Sequence, residues 1–353
     1  MEKPISAAIL SVSGTKLTDD EKFLLEKANP LGVSLFGRNI ADKQQLKSLS
    51  AEIKSVIGRE DVLIALDEEG GRVNRLKPLG YDYAWAESIG KANAEDIAEL
   101  HCNIIAEDML DAGANFNFAP VLDVEEEQTT IALKGRCIST DEKIVAALGR
   151  VMWQTYAKHG VCPCLKHLPG HGKAASDPHL NLPKTDLPLR ELQKDFYPFI
   201  QNNDCPAAMT AHILLTEVDN KNPITFSKKG IDEIIRSRIG FDGLLLSDAL
   251  EMNALHGNIS ERAIAAWNAG CDAVCYCNGS FNDMQKLCAN GRFLTDKALE
   301  RFNNVKNVLQ NAKKSIQLTQ ERKRYYEFLR SCSVEKINYD ATEILHQMQQ
   351  GEK

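Results

Sequence analysis

The sequence has no long hydrophobic run, because no uninterrupted stretch of apolar residues exceeds five among its 353 positions. A membrane-spanning helix needs roughly twenty such residues in succession, so we predict no membrane partner. Repeats, low-complexity tracts and proline- or glycine-rich linkers are also absent from the sequence. With 43% hydrophobic and 26% charged residues, the composition is typical of a globular protein that can bury a sizeable core.

Basic residues are fewer than acidic ones: the sequence has 42 Lys and Arg and 49 Asp and Glu, which gives a formal net charge of −7. Nucleic-acid-binding proteins usually carry a basic patch that pairs with phosphates. We therefore predict no nucleic-acid partner.

Cysteine is sparse as well, with 10 residues, well below the density of a disulfide scaffold. Cys162 and Cys164 are separated by one residue, as are Cys275 and Cys277, and no pair has the two-residue gap of a zinc knuckle. We interpret the cysteines as buried thiols of a reducing compartment. The short N-terminal run Ile5–Val12 predicts a first strand and not a signal peptide, so we expect a cytoplasmic protein.

Short apolar segments alternate with longer amphipathic ones along the chain. The short segments predict eight strands: Ile5–Val12, Gly32–Gly37, Val62–Glu68, Asn115–Val124, Val161–His167, Ala207–Ile213, Gly243–Asp248 and Asp272–Cys277. The amphipathic segments predict helices, among them Asp42–Ile57, Ala94–Ala112, Asp141–His159, Leu189–Asn202, Lys229–Ile239 and Ser260–Ala269. This alternation predicts a parallel sheet, and eight right-handed units close into a (β/α)8 barrel.

A doubly wound open sheet is the competing architecture. It usually has fewer strands and a glycine-rich phosphate loop, which Ser13-Gly14-Thr15 matches poorly. We predict a catalytic barrel over residues 1–295 and a helical C-terminal extension over residues 296–353 that packs on the barrel exterior as a solvated helix.

Polar and charged side chains gather where the predicted strands end, which is where a barrel carries its active site. They are Asp67-Glu68-Glu69 after the third strand, Asp123 and Arg136 after the fourth, Lys166-His167 at the fifth, His212 at the sixth and Asp248 at the seventh. Burying such groups needs partners. The pattern therefore predicts a polar ligand or a mutual network at this end of the barrel.

The segment from Lys166 to His179 is the most informative loop. Two glycines flank His171, and Asp177 is close enough in sequence for its carboxylate to orient the imidazole of His179. A histidine so held can exchange protons near neutral pH. A surface turn with an incidental histidine and a metal cluster are the alternatives, although the spacing is not that of a helical zinc motif. We predict neither a metal nor another cofactor.

Asp248 ends an apolar strand, and cations on neighbouring strand ends would keep its carboxyl ionised. A positioned carboxylate can attack the anomeric carbon of a sugar and form a covalent intermediate; an ion-pair partner or a metal ligand is the alternative. Sugar hydroxyls would pair with Asp67, Lys166 and His167. Three arginines could instead bind a carboxylate or a phosphate: Arg72, Arg75 and Arg136.

Three strings, KHLPGHGKAASDPH, SDALEM and LDEEGGRVNRL, resemble glycoside hydrolase family 3, specifically the bacterial β-N-acetylhexosaminidases of the NagZ type. The resemblance covers nearly the whole chain, from the strand near Gly32 to the eighth strand. It implies a single (β/α)8 barrel and a cytosolic enzyme of cell-wall recycling. Its small-molecule partner would be an amino sugar, because such enzymes remove N-acetylglucosamine from 1,6-anhydro-N-acetylmuramoyl peptides.

The resemblance also implies residue roles. Asp248 matches the nucleophile, and His179, oriented by Asp177 on a mobile loop, matches the general acid/base. The residues matching the sugar-binding set are Asp67, Arg75, Arg136, Lys166 and His167. The sequence departs from the usual family pattern at four positions: Leu168, Pro178, Ala249 and Glu251.

Other functions compete with this one. A β-glucosidase of the same family would take its acid/base from a further domain, for which the chain has no room. Substrate-assisted hydrolysis with Asp67 and Glu68 as the acid pair would leave Asp248 and His179 without roles. Phosphorolysis is compatible with a histidine acid/base. A non-catalytic sugar-binding protein would keep the sugar contacts and lose the nucleophile or the Asp177/His179 dyad, and all three residues are present here.

Overall fold

The structure is a computed structural model and describes residues 3–174, 182–312 and 318–332. The strands in these ranges are β1 (Ser6–Ser11), β2 (Pro30–Ser34), β3 (Leu63–Leu66), β4 (Glu68–Gly70), β5 (Val73–Asn74), β6 (Phe116–Asn117), β7 (Cys162–Pro163), β8 (Leu165–Leu168), β9 (Lys184–Thr185), β10 (Ala207–Thr210), β11 (Leu214–Leu215), β12 (Leu244–Ala249) and β13 (Ala273–Cys275). The α-helices are α1 (Asp19–Ala28), α2 (Lys43–Ile57), α3 (Ala86–Ala92), α4 (Glu95–Asp111), α5 (Glu142–His159), α6 (Gln193–Gln201), α7 (Ile259–Ala269), α8 (Phe281–Ala289), α9 (Asp296–Leu309) and α10 (Thr319–Ser331).

Nine parallel strands form one nearly closed barrel, in the order β7-β6-β3-β2-β1-β13-β12-β10-β8. Its two ends are consecutive pieces of the fifth predicted strand, because β7 pairs with β6 whereas β8 pairs with β10. This single segment therefore joins both edges of the sheet. The prediction of a (β/α)8 barrel is confirmed. Each observed strand is shorter than the predicted one except β12, which has the predicted six residues.

Burial explains why the strands are recognisable in the sequence. Every residue of β1 and β12 is buried, because helices cover the outside of the barrel and side chains fill its interior. A parallel strand covered on both faces reads as a continuous apolar run. The polar residue that ends such a run marks the point where the chain reaches the rim.

The helices begin and end at clear sequence signals. The side chains of Asp42 and Asp141 cap α2 and α5, and Gly58 and Gly160 end these helices in the left-handed conformation. The segment predicted as a helix over 229–239 forms one over Gly230–Arg238, with π-type hydrogen bonds. None of the helices in the described ranges combines the length and apolar composition needed to cross a membrane.

The last described helix, α10, packs against α4 through a buried residue. Tyr325 is fully buried, and its phenol oxygen lies 2.8 Å from the backbone nitrogen of Ala84 and 2.6 Å from Nδ1 of His101. Arg322 adds an ion pair with Glu107 at 2.5 Å. One face of α10 is therefore anchored to the barrel. Residues 313–317 and 333–353 of the predicted 296–353 extension lie outside the described residues.

All ten cysteines lie in the described part of the chain and are free thiols. Three of the ten are only partly buried, contrary to the prediction: Cys277, Cys288 and Cys332. The other seven are buried as predicted: Cys102, Cys137, Cys162, Cys164, Cys205, Cys271 and Cys275. Burial raises the pKa of each of these seven thiols. They pack as small apolar core residues.

Candidate active site

The carboxyl ends of the barrel strands surround an open pocket of about 940 Å³. Six side chains predicted from the sequence line it together: Asp67, Arg75, Arg136, Lys166, His167 and Asp248. Asp177 and His179 lie outside the described residues. Apolar side chains complete the wall, among them Phe36, Phe118, Met209 and Met252.

Five charged side chains form one connected ion-pair network in the wall of the pocket. Lys166 Nζ lies 2.8 Å from Asp67 Oδ1 and 2.5 Å from Glu69 Oε1. Arg136 binds both oxygens of Glu69 through Nε and Nη2, each at 2.8 Å. Arg75 Nη2 lies 3.6 Å from the other oxygen of Asp67. The charges alternate in sign, so each side chain holds its neighbours in place.

Each buried member of this network keeps its charge. Burial alone would raise the pKa of Glu69, but the Arg136 and Lys166 cations hold it well below its ordinary value. Burial would likewise lower the pKa of Lys166, and the Asp67 and Glu69 carboxylates raise it instead. Fixed charged donors and acceptors of this kind form strong hydrogen bonds with sugar hydroxyls.

A tight hairpin places Glu69 in the pocket. Asp67 follows β3 directly, and β4 then pairs with β5. Gly70 has φ +88°, and a Cβ there would lie 2.4 Å from the carbonyl oxygen of Ala84, so the hairpin needs glycine to pack this closely.

Glu68 faces away from the pocket. It is fully buried and accepts a hydrogen bond from Leu76 N at 2.9 Å, and burial raises its pKa well above the ordinary value. Asp67 instead pairs with Lys166 at the pocket. The two neighbouring carboxyls therefore do not form the acid pair that substrate-assisted hydrolysis would need.

Asp123, six residues after β6, fixes the loop that follows β8. Its Oδ2 accepts a hydrogen bond from His167 Nδ1 at 2.7 Å, and its Oδ1 accepts one from the backbone N–H of His171 at 2.7 Å. Burial would raise the pKa of Asp123, but the His167 ring lowers it. The bond to Nδ1 orients the His167 ring and leaves Nε2 for a ligand.

Asp248 lies at the end of β12, lines the same pocket as the network, and is 8% exposed. Its Oδ1 accepts the backbone N–H of Ala249 at 2.7 Å, and its Oδ2 makes no hydrogen bond to any described residue. Burial would raise its pKa, but the rings of His212 and His167 hold the value below normal. This direction agrees with the expectation of an ionised carboxylate, and Oδ2 is the oxygen without a described hydrogen bond.

Glu251 is a pocket residue to which sequence reasoning gave no role. Both of its carboxylate oxygens accept the backbone N–H of Cys277, at 3.0 and 3.2 Å. Burial raises the pKa of Glu251 to about 7, and the charge of Asp248 acts in the same direction. Its position in the sequence, three residues after Asp248, could have indicated this role, because the side chains of both residues line the same pocket.

The loop around His171 is not a surface turn. His171 is 3% exposed, and a Cβ on Gly172 would lie 1.8 Å from the carbonyl oxygen of Val124. Gly170 has φ +122°. These glycines allow the loop to fold inward against the barrel rim. Among the described residues, no three His, Cys, Asp or Glu side chains are grouped so that they could hold a metal ion.

Comparison with known proteins agrees with this geometry. Residues 6–310 match the family model described as the glycosyl hydrolase family 3 N terminal domain. The β-hexosaminidase of Bordetella parapertussis is 36% identical over 289 residues, which are 78% of this chain and 80% of that protein. The β-hexosaminidase of Pseudomonas aeruginosa is 34% identical over 276 residues, 76% of this chain and 82% of that protein.

A solved structure shows the same likeness. The crystal structure of NagZ from Neisseria gonorrhoeae in complex with N-trifluoroacetyl-D-glucosamine superposes with a TM-score of 0.81 at 29% sequence identity. The match covers 92% of this chain and 98% of that one.

Proposed function

We propose that this chain, which belongs to glycosyl hydrolase family 3, hydrolyses terminal β-linked N-acetylglucosamine with retention of the anomeric configuration. The family and the β-hexosaminidase relatives identify it as a glycoside hydrolase of the β-N-acetylhexosaminidase kind. The stereochemistry, the residue roles and the natural substrate are the parts that we propose.

One observation carries the proposal: an ionised carboxylate faces a network that suits sugar hydroxyls. Asp248 presents a free Oδ2 to the pocket that Lys166 and Asp67 also line. A pyranose held by its hydroxyls on the network side would offer its anomeric carbon to Asp248. An ionised carboxylate so placed attacks this carbon and forms a glycosyl-enzyme.

The chemistry then needs a proton donor for the leaving oxygen. We assign this role to His179, oriented by Asp177, on the basis of the sequence pattern, since both residues lie outside the described ranges. In the first step Asp248 Oδ2 bonds to the anomeric carbon while the leaving oxygen takes a proton from His179. In the second step His179 accepts a proton from water, which displaces the carboxylate.

The pocket contacts suggest how the sugar is held. We assign the hydroxyl contacts to Asp67, Arg75, Arg136, Lys166 and His167. Hydrogen bonds to charged groups contribute roughly 1.5–3 kcal/mol each, and those that tighten in the transition state raise kcat. The resemblance to NagZ-type enzymes further suggests a 1,6-anhydro-N-acetylmuramoyl substrate in cytoplasmic peptidoglycan recycling.

A mechanism-based label tests the nucleophile. A fluorinated, slowly turned over N-acetylglucosaminide should attach to the peptide that contains Asp248, as read by mass spectrometry. The product anomer, followed by NMR from the first turnover, should retain the configuration of the substrate. A label on another carboxylate, or an inverted product, would overturn the assignment of Asp248.

Product analysis separates hydrolysis from phosphorolysis. The protein is given an N-acetylglucosaminyl-anhydromuramic substrate with and without inorganic phosphate. Free N-acetylglucosamine in both reactions supports the hydrolase. N-acetylglucosamine 1-phosphate as the main product when phosphate is present would make the protein a phosphorylase.

A further inference from the structure

His171 differs from the other polar side chains of the pocket because its ring has no hydrogen-bond partner among the described residues. It lines the pocket and is 3% exposed, and neither Nδ1 nor Nε2 bonds to another group within residues 3–174, 182–312 and 318–332. Its backbone, in contrast, is held by Asp123. Buried polar groups in native proteins nearly always have partners, and an unmade hydrogen bond costs stability. The ring is therefore placed to receive a partner from a ligand.

The chemical character of this ring is defined by its surroundings. Burial lowers the pKa of His171 to about 4, although the Asp123 and Asp248 carboxylates favour the charged form. The ring is thus neutral near pH 7. A neutral imidazole offers one N–H donor and one acceptor nitrogen. A secondary amide offers the complementary pair, a carbonyl oxygen and an N–H.

The position of His171 identifies the part of the sugar that it faces. Its ring centroid lies 6.4 Å from that of His167, and both rings line the pocket together with Asp248. It therefore lies beside a ring assigned to hydroxyl binding, in the pocket that also contains the proposed nucleophile. On this flank β10 runs between β8 and β12 and contributes Met209 to the pocket wall.

The structure of the sugar limits which of its groups can face His171. Two ring atoms are bonded to the anomeric carbon: the ring oxygen, which has no substituent, and C2, which carries the acetamido group. The donor and acceptor nitrogens of His171 and the apolar thioether of Met209 suit the substituent on C2. The acetamido group has an amide for the first and a methyl for the second. The ring oxygen has no hydrogen to donate, so it could not satisfy the acceptor nitrogen of His171. It also carries no methyl group that could pack on Met209.

We propose that His171 hydrogen-bonds the 2-acetamido group of the sugar and that Met209 packs on its methyl, so that this pair sets the preference for N-acetylglucosamine over glucose. This inference rests on the proposed function and adds to it the residue that distinguishes the 2-substituent.

The variant His171→Phe tests the proposal, because it keeps a ring of similar size and removes both nitrogens. We expect kcat/KM for 4-nitrophenyl N-acetyl-β-glucosaminide to fall about 10- to 100-fold, as the loss of one or two buried hydrogen bonds would give. For 4-nitrophenyl β-glucoside the change should stay within about threefold. The melting temperature should be unchanged or higher, since two unpartnered buried nitrogens are removed.

A matched control is His167→Phe, which removes a neighbouring ring assigned to a hydroxyl contact. It should reduce kcat/KM for both substrates by similar factors. If His171→Phe likewise affects both substrates equally, or affects neither, the proposal is wrong.

A second measurement keeps the proposal testable if His171→Phe does not fold. In an NMR spectrum of ¹⁵N-histidine-labelled wild-type protein, the ring nitrogen resonances of one histidine should shift on addition of N-acetylglucosamine and not on addition of glucose. The spectrum of His171→Gln, which keeps a donor and an acceptor, assigns that ring. A His171 ring that does not respond to N-acetylglucosamine would contradict the proposal.

Two experimental outcomes distinguish the hydrolase activity from the role of His171. A wild-type protein that does not cleave the N-acetylglucosaminide overturns the proposed function and this inference with it. A wild-type protein that cleaves it, while His171→Phe keeps the full preference for the acetamido sugar, overturns this inference alone.

Discussion

The phenol oxygen of Tyr325 accepts a hydrogen bond from the backbone nitrogen of Ala84 at 2.8 Å, and this contact connects the last described helix to the active site. The carbonyl of Ala84 lies directly against Gly70, in the turn of the hairpin that carries Glu69. Helix α10 thus supports the hairpin from behind, although it is distant in sequence from every pocket residue.

Removing this one oxygen should therefore destabilise the protein. Tyr325→Phe leaves the buried N–H of Ala84 and Nδ1 of His101 without their partner, and unsatisfied buried groups cost about 1–3 kcal/mol. Urea unfolding of the full-length chain measures the loss. Tyr326→Phe is the matched control, because Tyr326 is 43% exposed on the same helix; it should change stability by less than about 0.5 kcal/mol. Equal effects of the two variants would argue against a specific role for Tyr325.

The ion-pair network predicts a larger effect at Glu69. Glu69→Gln leaves Lys166 and Arg136 buried without the carboxylate that both contact, and breaking a buried pair costs about 3–5 kcal/mol. Unfolding free energy and kcat/KM should fall together. Glu125→Gln, which breaks the partly exposed pair of Glu125 with Lys134, should cost under about 1 kcal/mol. If Glu69→Gln lowers the free energy of unfolding no more than Glu125→Gln does, the ion-pair network does not stabilise the site.

Glu251 predicts a particular dependence of stability on pH. Its pKa is raised from 4.5 to about 7 in the folded protein, so the folded state holds the proton more tightly than the unfolded state. Its contribution is fully present below about pH 4.5 and is lost as the pH rises through 7, and the difference is on the order of 3 kcal/mol. Glu251→Gln keeps an acceptor for Cys277 N–H and cannot ionise.

The melting temperature of Glu251→Gln relative to wild type should therefore increase from pH 5 to pH 8. Glu327→Gln, at an exposed position of α10, should show a constant difference over the same range. A Glu251→Gln difference that does not change with pH would mean that this carboxyl titrates normally.

The proposed acid/base residue predicts a dependence on the leaving group. His179→Ala should reduce kcat/KM strongly for a disaccharide, whose leaving alkoxide needs a proton, and far less for an activated aryl glycoside. General acid catalysis contributes typically about 10²–10⁴-fold, and the gap between the substrates should approach this range. Asp177→Asn should show the same pattern at reduced size. Equal losses on both substrates would assign His179 a structural role.

The barrel is predictable from the sequence because each strand is an apolar run that ends in a polar residue. Strand lengths are less predictable: the fourth is expected over Asn115–Val124, and only Phe116–Asn117 pairs as a strand. Pro120 has no N–H to donate to the ladder, and after it the chain pairs only through the isolated bridge of Val121 with Lys166. Helices α1 and α8 are not predicted, although their caps, Thr18 and Ser280, are visible in the sequence.

The pocket residues are predictable only in part, for a local reason. Within Asp67-Glu68-Glu69, sequence alone does not tell which carboxyl faces the pocket, because the hairpin that begins at Glu68 interrupts the alternation of the preceding strand. His171 presents a similar difficulty. Its burial depends on the close approach of Gly172 to Val124, a contact between segments nearly fifty residues apart.

The buried cysteines give the protein a built-in probe of its own unfolding. Thiol reagents attack the thiolate, and burial both shields these sulfur atoms and raises their pKa. A cysteine-reactive dye should therefore label the native protein slowly and at few positions, and label it extensively once the barrel opens. The rate at which mass is added per molecule would then report the population of the opened protein, without an engineered fluorophore and while the substrate is present.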